Sequence, residues 1–132
     1  MNESVIRVLS GIHALALRAG LVRTYHGNRV VVLATRGRRS GKTRRTPLLA
    51  YRDGERLVLV ASFGGSDRDP HWLGNLRAEP RVEVDGRPYT ARIASEHERE
   101  RLWGQVIARY PGYARYQART SRRIPLVVLE AV

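Results

Sequence analysis

The stretch GRRSGKTRRTP, residues 37–47, decides the fold. It falls one residue short of a phosphate loop of the G-x-x-x-x-G-K-[ST] kind, because only Arg38, Arg39 and Ser40 separate Gly37 from Gly41. In such a loop the lysine and hydroxyl residue open a helix whose N-terminus faces the phosphates. Here Lys42-Thr43 runs on through Arg44, Arg45 and Thr46 to Pro47. Proline lacks an N–H and pushes the residue before it out of helical backbone. The segment therefore reads as a turn between two strands.

Working outward, RVVVLATR (29–36) is a β-branched run of strand length, and RTPLLAYRD (45–53) is a second strand. Asp53-Gly54 is a tight-turn signal, and ERLVLVAS (55–62) follows as a third strand. After the loop FGGSDRD (63–69), Asp69 reads as an N-cap with Pro70 at the first helical position, opening a helix that stops before Pro80. RVEV (81–84), Asp85-Gly86 and RPYTARIA (87–94) form a hairpin pattern. Ser95 with Glu98 is a capping box for a helix through HERERLWGQVIARY; Pro111 restarts a short helix, and IPLVVLEAV (124–132) is a last strand. Upstream, Val5, Val8, Leu9, Ile12 and Leu15 stand at helical spacing within residues 4–22. Strands joined by tight turns point to a mainly antiparallel β fold with helices (α+β). A doubly wound parallel sheet would need helices between most strands, and these are missing.

The length of 132 residues suits one domain, divided into an N-terminal helix with its lead-in (1–28) and a sheet domain (29–132). Hydrophobic residues make up 42%, too many for a disordered chain. No cysteine is present, and His13, His26, His71 and His97 are scattered without ligand spacing, so no metal site is expected. Arg7, His13 and Arg18 interrupt the first apolar stretch, which excludes it as a membrane span; with no signal peptide visible, a cytoplasmic protein is the default.

The net charge is +12, and a single lysine, Lys42, stands among 24 basic residues. Such a field favours nucleic acid, an anionic membrane surface or an acidic small molecule, set against a plain basic surface. The aromatic residues do not interleave with the arginines as a base-stacking platform would, so nucleic acid is not the expected partner. The turn itself is more informative. Arg38, Arg39, Lys42, Arg44 and Arg45 put five cations within eight residues, among Gly37, Gly41 and the hydroxyls of Ser40 and Thr43. Unlike a merely solvated hairpin tip, such a cluster repels itself unless an anion joins it, and guanidinium grips phosphate bidentately. Tyr110, Tyr113 and Tyr116 recur every third residue, on one helical face; from spacing alone, core and site are equal readings.

With the loop in its β context, four stretches in order resemble the deazaflavin (F420)-dependent nitroreductase family, of the split β-barrel flavin/deazaflavin oxidoreductase superfamily. They are TRGRRSGKTRRTPLL (35–49), VASFGG (60–65), PHWLGNLRAEPRVEV (70–84) and RYPGYARYQARTSRRIPLVVLE (109–130). The resemblance implies a split barrel, FMN-binding-like, and noncovalent coenzyme F420, whose phosphodiester and oligoglutamate tail make it strongly anionic; FMN ranks below it. It also implies that Arg38, Arg39, Ser40, Lys42 and Arg44 hold the phosphate, with Arg45, Thr46, Pro47 and Leu48 beside it. Val60, Ala61, Ser62 and Phe63 would meet the ring, His71, Trp72 and Asn75 would close the site, and Tyr110, Tyr113 and Tyr116 would flank substrate and cofactor. Phe63 and Leu73 depart from the family pattern, which often has lysine or asparagine at the first and tyrosine at the second.

The implied activity is that of an F420H2-dependent reductase, of nitroreductase or quinone reductase type. It would pass hydride to an electron-poor acceptor: a quinone, an enone or a nitro compound. Tyr116, Tyr110 and Ser62 are the candidates for proton delivery, with Tyr113 on the cofactor. The alternative is a non-catalytic carrier of fatty acid, flavin or haem on the same barrel. The chain is expected as a monomer or homodimer. Its N-terminal helix, with Arg7, His13, Arg18 and Arg23 beside apolar residues, either caps the barrel or lies on the inner face of an anionic membrane.

Overall fold

The computed structural model describes residues 24–25 and 27–132. The expected helix over 4–22, with its capping or membrane role, lies outside the described residues. The elements run β1 (Thr24–Tyr25), β2 (Asn28–Arg36), β3 (Thr43–Leu49), β4 (Tyr51–Asp53), β5 (Arg56–Val60), a 3₁₀ turn (Phe63–Gly65), α1 (His71–Ala78), β6 (Arg81–Val84), β7 (Arg87–Ile93), α2 (Glu96–Arg109), α3 (Gly112–Ala118) and β8 (Leu126–Ala131). No helix among the described residues is long and apolar enough to cross a membrane.

Residues 37–42 turn β2 into β3, as Pro47 demands. The turn closes with bonds from the Gly37 amide to the Lys42 carbonyl and from the Gly41 amide to the Gly37 carbonyl, both 2.8 Å, with Gly41 at a positive φ of 72°. The strands pair antiparallel from Arg36↔Thr43 to Val30↔Leu49, and Pro47 stands opposite Val32. Among the described residues β3 pairs with β2 alone, so proline's missing N–H leaves no second neighbour there unbonded.

The expected single strand over 45–53 is broken at Ala50. Up to that point the segment pairs with β2, and the Ala50 amide still donates to the Arg29 carbonyl; from Tyr51 it pairs with β5. All pairings are antiparallel, in the order β2-β6-β7-β8-β5-β4, with β1 and β3 also on β2. One chain segment thus belongs to both ends of the sheet, which curls round on itself. This is the split barrel that the resemblance implies.

Alternation sorts the core into two bodies. Leu57 and Leu59 of β5 and Val127 and Leu129 of β8 face inward with Val31, Leu33, Val82 and Val84, plugged by Trp72, Leu73 and Leu76 of α1. Val58, Val60, Leu126 and Val128 face the other way, under Leu102 and Val106 of α2 and Tyr113 of α3. Covered on both faces, β5 and β8 read as unbroken apolar runs.

The capping box on α2 forms as expected. The Glu98 amide donates to Ser95 Oγ at 3.2 Å and the Ser95 amide to Glu98 Oε1 at 3.0 Å. Ser95→Ala should therefore lower unfolding stability by about 1 kcal/mol in a urea titration. Asp69 is not an N-cap. Pro70 takes that place, in extended backbone with ψ 150°, while Asp69 is drawn away to Arg122 at 3.2 Å and Arg77 at 3.7 Å.

Candidate functional site

The turn and α1 face each other across an open cleft of about 660 Å³, a size that suits a small-molecule ligand. One wall is Gly37, Arg38, Arg39, Ser40, Thr43, Arg44, Arg45 and Thr46; the other is His71, Trp72 and Asn75 of α1. Among the described residues, four guanidiniums line it and no carboxylate does. Several acids are paired elsewhere: Asp85 with Arg29, Asp53 with Arg101, Glu98 and Glu130 with Arg92, Glu96 with Arg123. Arg38, Arg39, Lys42, Arg44 and Arg45 are exposed, and none has a carboxylate within 4.0 Å among the described residues. Cations held together without counter-charges leave a positive potential that an anion relieves.

The cleft is also ordered. Asn75 is buried, and its Oδ1 accepts from the Arg38 amide at 3.2 Å and from Arg38 Nη1 at 2.9 Å, while its Nδ2 donates to buried Thr35 Oγ1 at 3.2 Å. Arg38 Nη1 donates as well to the His71 carbonyl at 3.1 Å. Ser40 Oγ accepts from the Lys42 amide at 3.1 Å and from Arg44 Nη2 at 3.4 Å, which leaves its own O–H to donate.

The structure brings Arg38, Arg39, Ser40, Arg44, Arg45, Thr46, His71, Trp72 and Asn75 together. Gly37 and Thr43, named with the cation cluster but not among the cofactor contacts, join them. The close fit at Gly37, where a Cβ would stand 2.8 Å from Ser40 Oγ, was beyond reach of the sequence. Lys42 lies in the turn without lining the cleft, and Pro47 and Leu48 are half-buried further along β3. Val60 and Ala61 are buried in opposite cores. Ser62 and Phe63 are half-buried on a neighbouring turn, where Phe63 takes a positive φ of 43°. Arg122, not singled out in the sequence, holds that turn: it donates to the carbonyls of Ala61 (3.1 Å), Ser62 (2.8 Å) and Ser66 (2.8 Å). Leu73 is fully buried in the inner core, so this departure from the family pattern sits away from the cleft.

The tyrosines gather apart from the cleft lining. Tyr110 caps the end of α2, whereas Tyr113 and Tyr116 lie on α3, and the rings of Tyr110 and Tyr113 meet edge-on at 4.9 Å. The Tyr110 and Tyr116 hydroxyls are 3.2 Å apart. Tyr113 shares a buried bond of 2.9 Å with Tyr51, a partner the sequence reading missed because β4 returns beneath α3 only once the sheet curls. Burial pushes the Tyr51 phenol up to about 12 and raises Tyr110 and Tyr113 as well, so all three stay protonated near neutrality.

The chain is similar to known proteins over most of its length. The F420H(2)-dependent quinone reductase Rv1261c of Mycobacterium tuberculosis (strain ATCC 25618 / H37Rv) is 41% identical, over 75% of this chain and 71% of its own. A solved F420-H2 dependent reductase (FDR-A) is 39% identical with a TM-score of 0.70, over 76% of this chain and 93% of its own. The haem storage protein HutZ from Vibrio cholerae has a TM-score of 0.59, over 78% of this chain and 81% of its own, but 13% identity, a likeness of fold alone. The family model for F420H(2)-dependent quinone reductases matches residues 12–131, and the chain belongs to that family.

Proposed function

We propose that the chain binds F420H2 with its phosphodiester in the basic cleft and reduces a quinone-type acceptor. The observation that carries this reading is the set of unpaired guanidiniums lining a cleft without a carboxylate. The donor set fits the group. Arg38, Arg39, Arg44 and Arg45 would hold the phosphate, with hydroxyl donors from Ser40 and Thr43. Thr46, His71 and Trp72 would flank it. The backbone of Val60–Phe63, held in place by Arg122, is assigned to the ring. When bound, the reduced deazaflavin supplies a hydride; the protein's part is orientation and electrostatics.

The acceptor also takes up a proton. The Tyr110–Tyr116 hydroxyl pair, 3.2 Å apart, is assigned to this step ahead of Ser62, because a phenol is a stronger acid than an aliphatic hydroxyl. Tyr116→Phe should then lower turnover about tenfold or more while leaving F420 affinity unchanged. Equal turnover in the variant would move the role to Ser62 or water.

Mixing the purified protein with F420H2 and menadione tests the whole reading. Absorbance of oxidised F420 should appear at a rate proportional to protein. Failure to bind F420 at micromolar concentration would overturn it. Such binding without turnover would favour a carrier.

A further inference from the structure

We propose that Gly74 and Asn75 are positioning residues: together they form a seat on α1 that fixes the Arg38 guanidinium for the anion. The proposal rests on the reading of the cleft as the phosphate site. It assigns to α1 a role that runs through Arg38.

Three observations converge on the seat. Asn75 Oδ1 takes both the backbone amide and Nη1 of Arg38, so one buried side chain fixes the start of the turn and the head of its first arginine. Asn75 is itself held from behind by Thr35 of β2, which sets its amide orientation. Gly74 supplies the floor. A Cβ there would stand 2.9 Å from Arg38 Cζ, 3.0 Å from Nη1 and 3.1 Å from Nε. The first is shorter than real Cβ contacts and the other two are tighter than most, so the guanidinium lies against the bare Gly74 backbone and a Cβ there would push it away.

The geometry has a chemical consequence. Nη1 is taken by Asn75 and the His71 carbonyl. Nε and Nη2 have no hydrogen-bond acceptor among the described residues. Their shared edge is the one that meets an oxyanion with two parallel bonds. An exposed arginine ordinarily loses rotamer freedom when it binds; one already seated has less to lose.

Gly74 separates positioning from folding. It sits within α1 and shows no positive φ, so alanine suits the backbone and adds helix propensity. Gly74→Ala displaces the guanidinium and touches no ligand. The experiment measures F420 affinity by quenching of its fluorescence, and thermal stability, for Gly74→Ala, Asn75→Ala, Arg38→Ala and the double variant Gly74→Ala/Arg38→Ala. Gly74→Ala should weaken F420 about tenfold, near the worth of one charge-assisted bond, with an unchanged or higher Tm. Asn75→Ala should weaken it similarly at some loss of Tm. In the double variant the Gly74 effect should vanish, because its target is gone. Wild-type affinity in Gly74→Ala, or a Gly74 effect that persists without Arg38, would overturn the seat. Wild-type affinity in Arg38→Ala would overturn the phosphate reading itself, a distinguishable failure.

Discussion

Replacing Arg38, Arg44 and Arg45 together by alanine should weaken F420 binding at least about a thousandfold while leaving the fold intact. Each guanidinium that meets a phosphate oxygen contributes about 1.5 kcal/mol or more, roughly tenfold in affinity. The three line one cleft, and no carboxylate among the described residues would be left unpaired by their loss. Arg44 and Arg45 are exposed, and without the Arg38 side chain Asn75 Oδ1 keeps its bond from the residue-38 amide, so unfolding stability should change by no more than about 1 kcal/mol. Lys42→Ala is the internal control. Lys42 shares the sequence cluster yet does not line the cleft, so its loss should change affinity less than about threefold. A Lys42 effect as large as that of Arg38 would mean that total charge, and not the cleft, governs binding.

Arg122→Ala should have the largest effect on stability. This side chain is 15% exposed, and its donors reach three carbonyls of the 61–66 turn and the Asp69 carboxylate. Burial lowers its pKa while Asp69 and Asp67 raise it, so the acids offset part of the cost of a shielded charge. Without it, the carbonyls of Ala61 and Ser66 lose the guanidinium, while the Ser62 carbonyl keeps its bond from the Gly65 amide at 2.9 Å. The expected loss is about 2 kcal/mol, because each of the two orphaned carbonyls costs on the order of 1 kcal/mol or more. Arg122→Lys keeps the charge but carries its donors on one atom, which cannot span all three carbonyls, so it should recover less than half. Chemical denaturation with an unchanged slope would report the loss. A loss below about 1 kcal/mol would mean that water replaces the guanidinium.

Local rules made much of the fold legible. Pro47 turned a near phosphate loop into a hairpin, Ser95 and Glu98 placed the start of α2, and the apolar runs of β5 and β8 announced strands. The break at Ala50 was not legible. It follows from closing the sheet, which links residues far apart in sequence. The capping role expected of Asp69 yielded to Arg122, more than fifty residues away. The same division holds at the site. The cations of the turn stand out as a cluster in the chain. The seat that orders Arg38 and the staple that holds Ser62–Phe63 join residues 37 and 60 apart, and no periodicity encodes them. The tyrosine spacing was visible, but Tyr51 and the Tyr110–Tyr116 pair emerge only when β4, α2 and α3 converge.

The most direct test of the basic cleft compares F420 with the deazaflavin nucleoside that lacks the phosphodiester and glutamate tail. Both share the ring, so the difference in affinity isolates the anionic part. Wild-type protein should bind F420 at least about a thousandfold more tightly, the worth of three charge-assisted contacts. That preference should collapse in the Arg38, Arg44, Arg45 triple variant. Equal affinity of the wild-type protein for the two ligands would contradict the account.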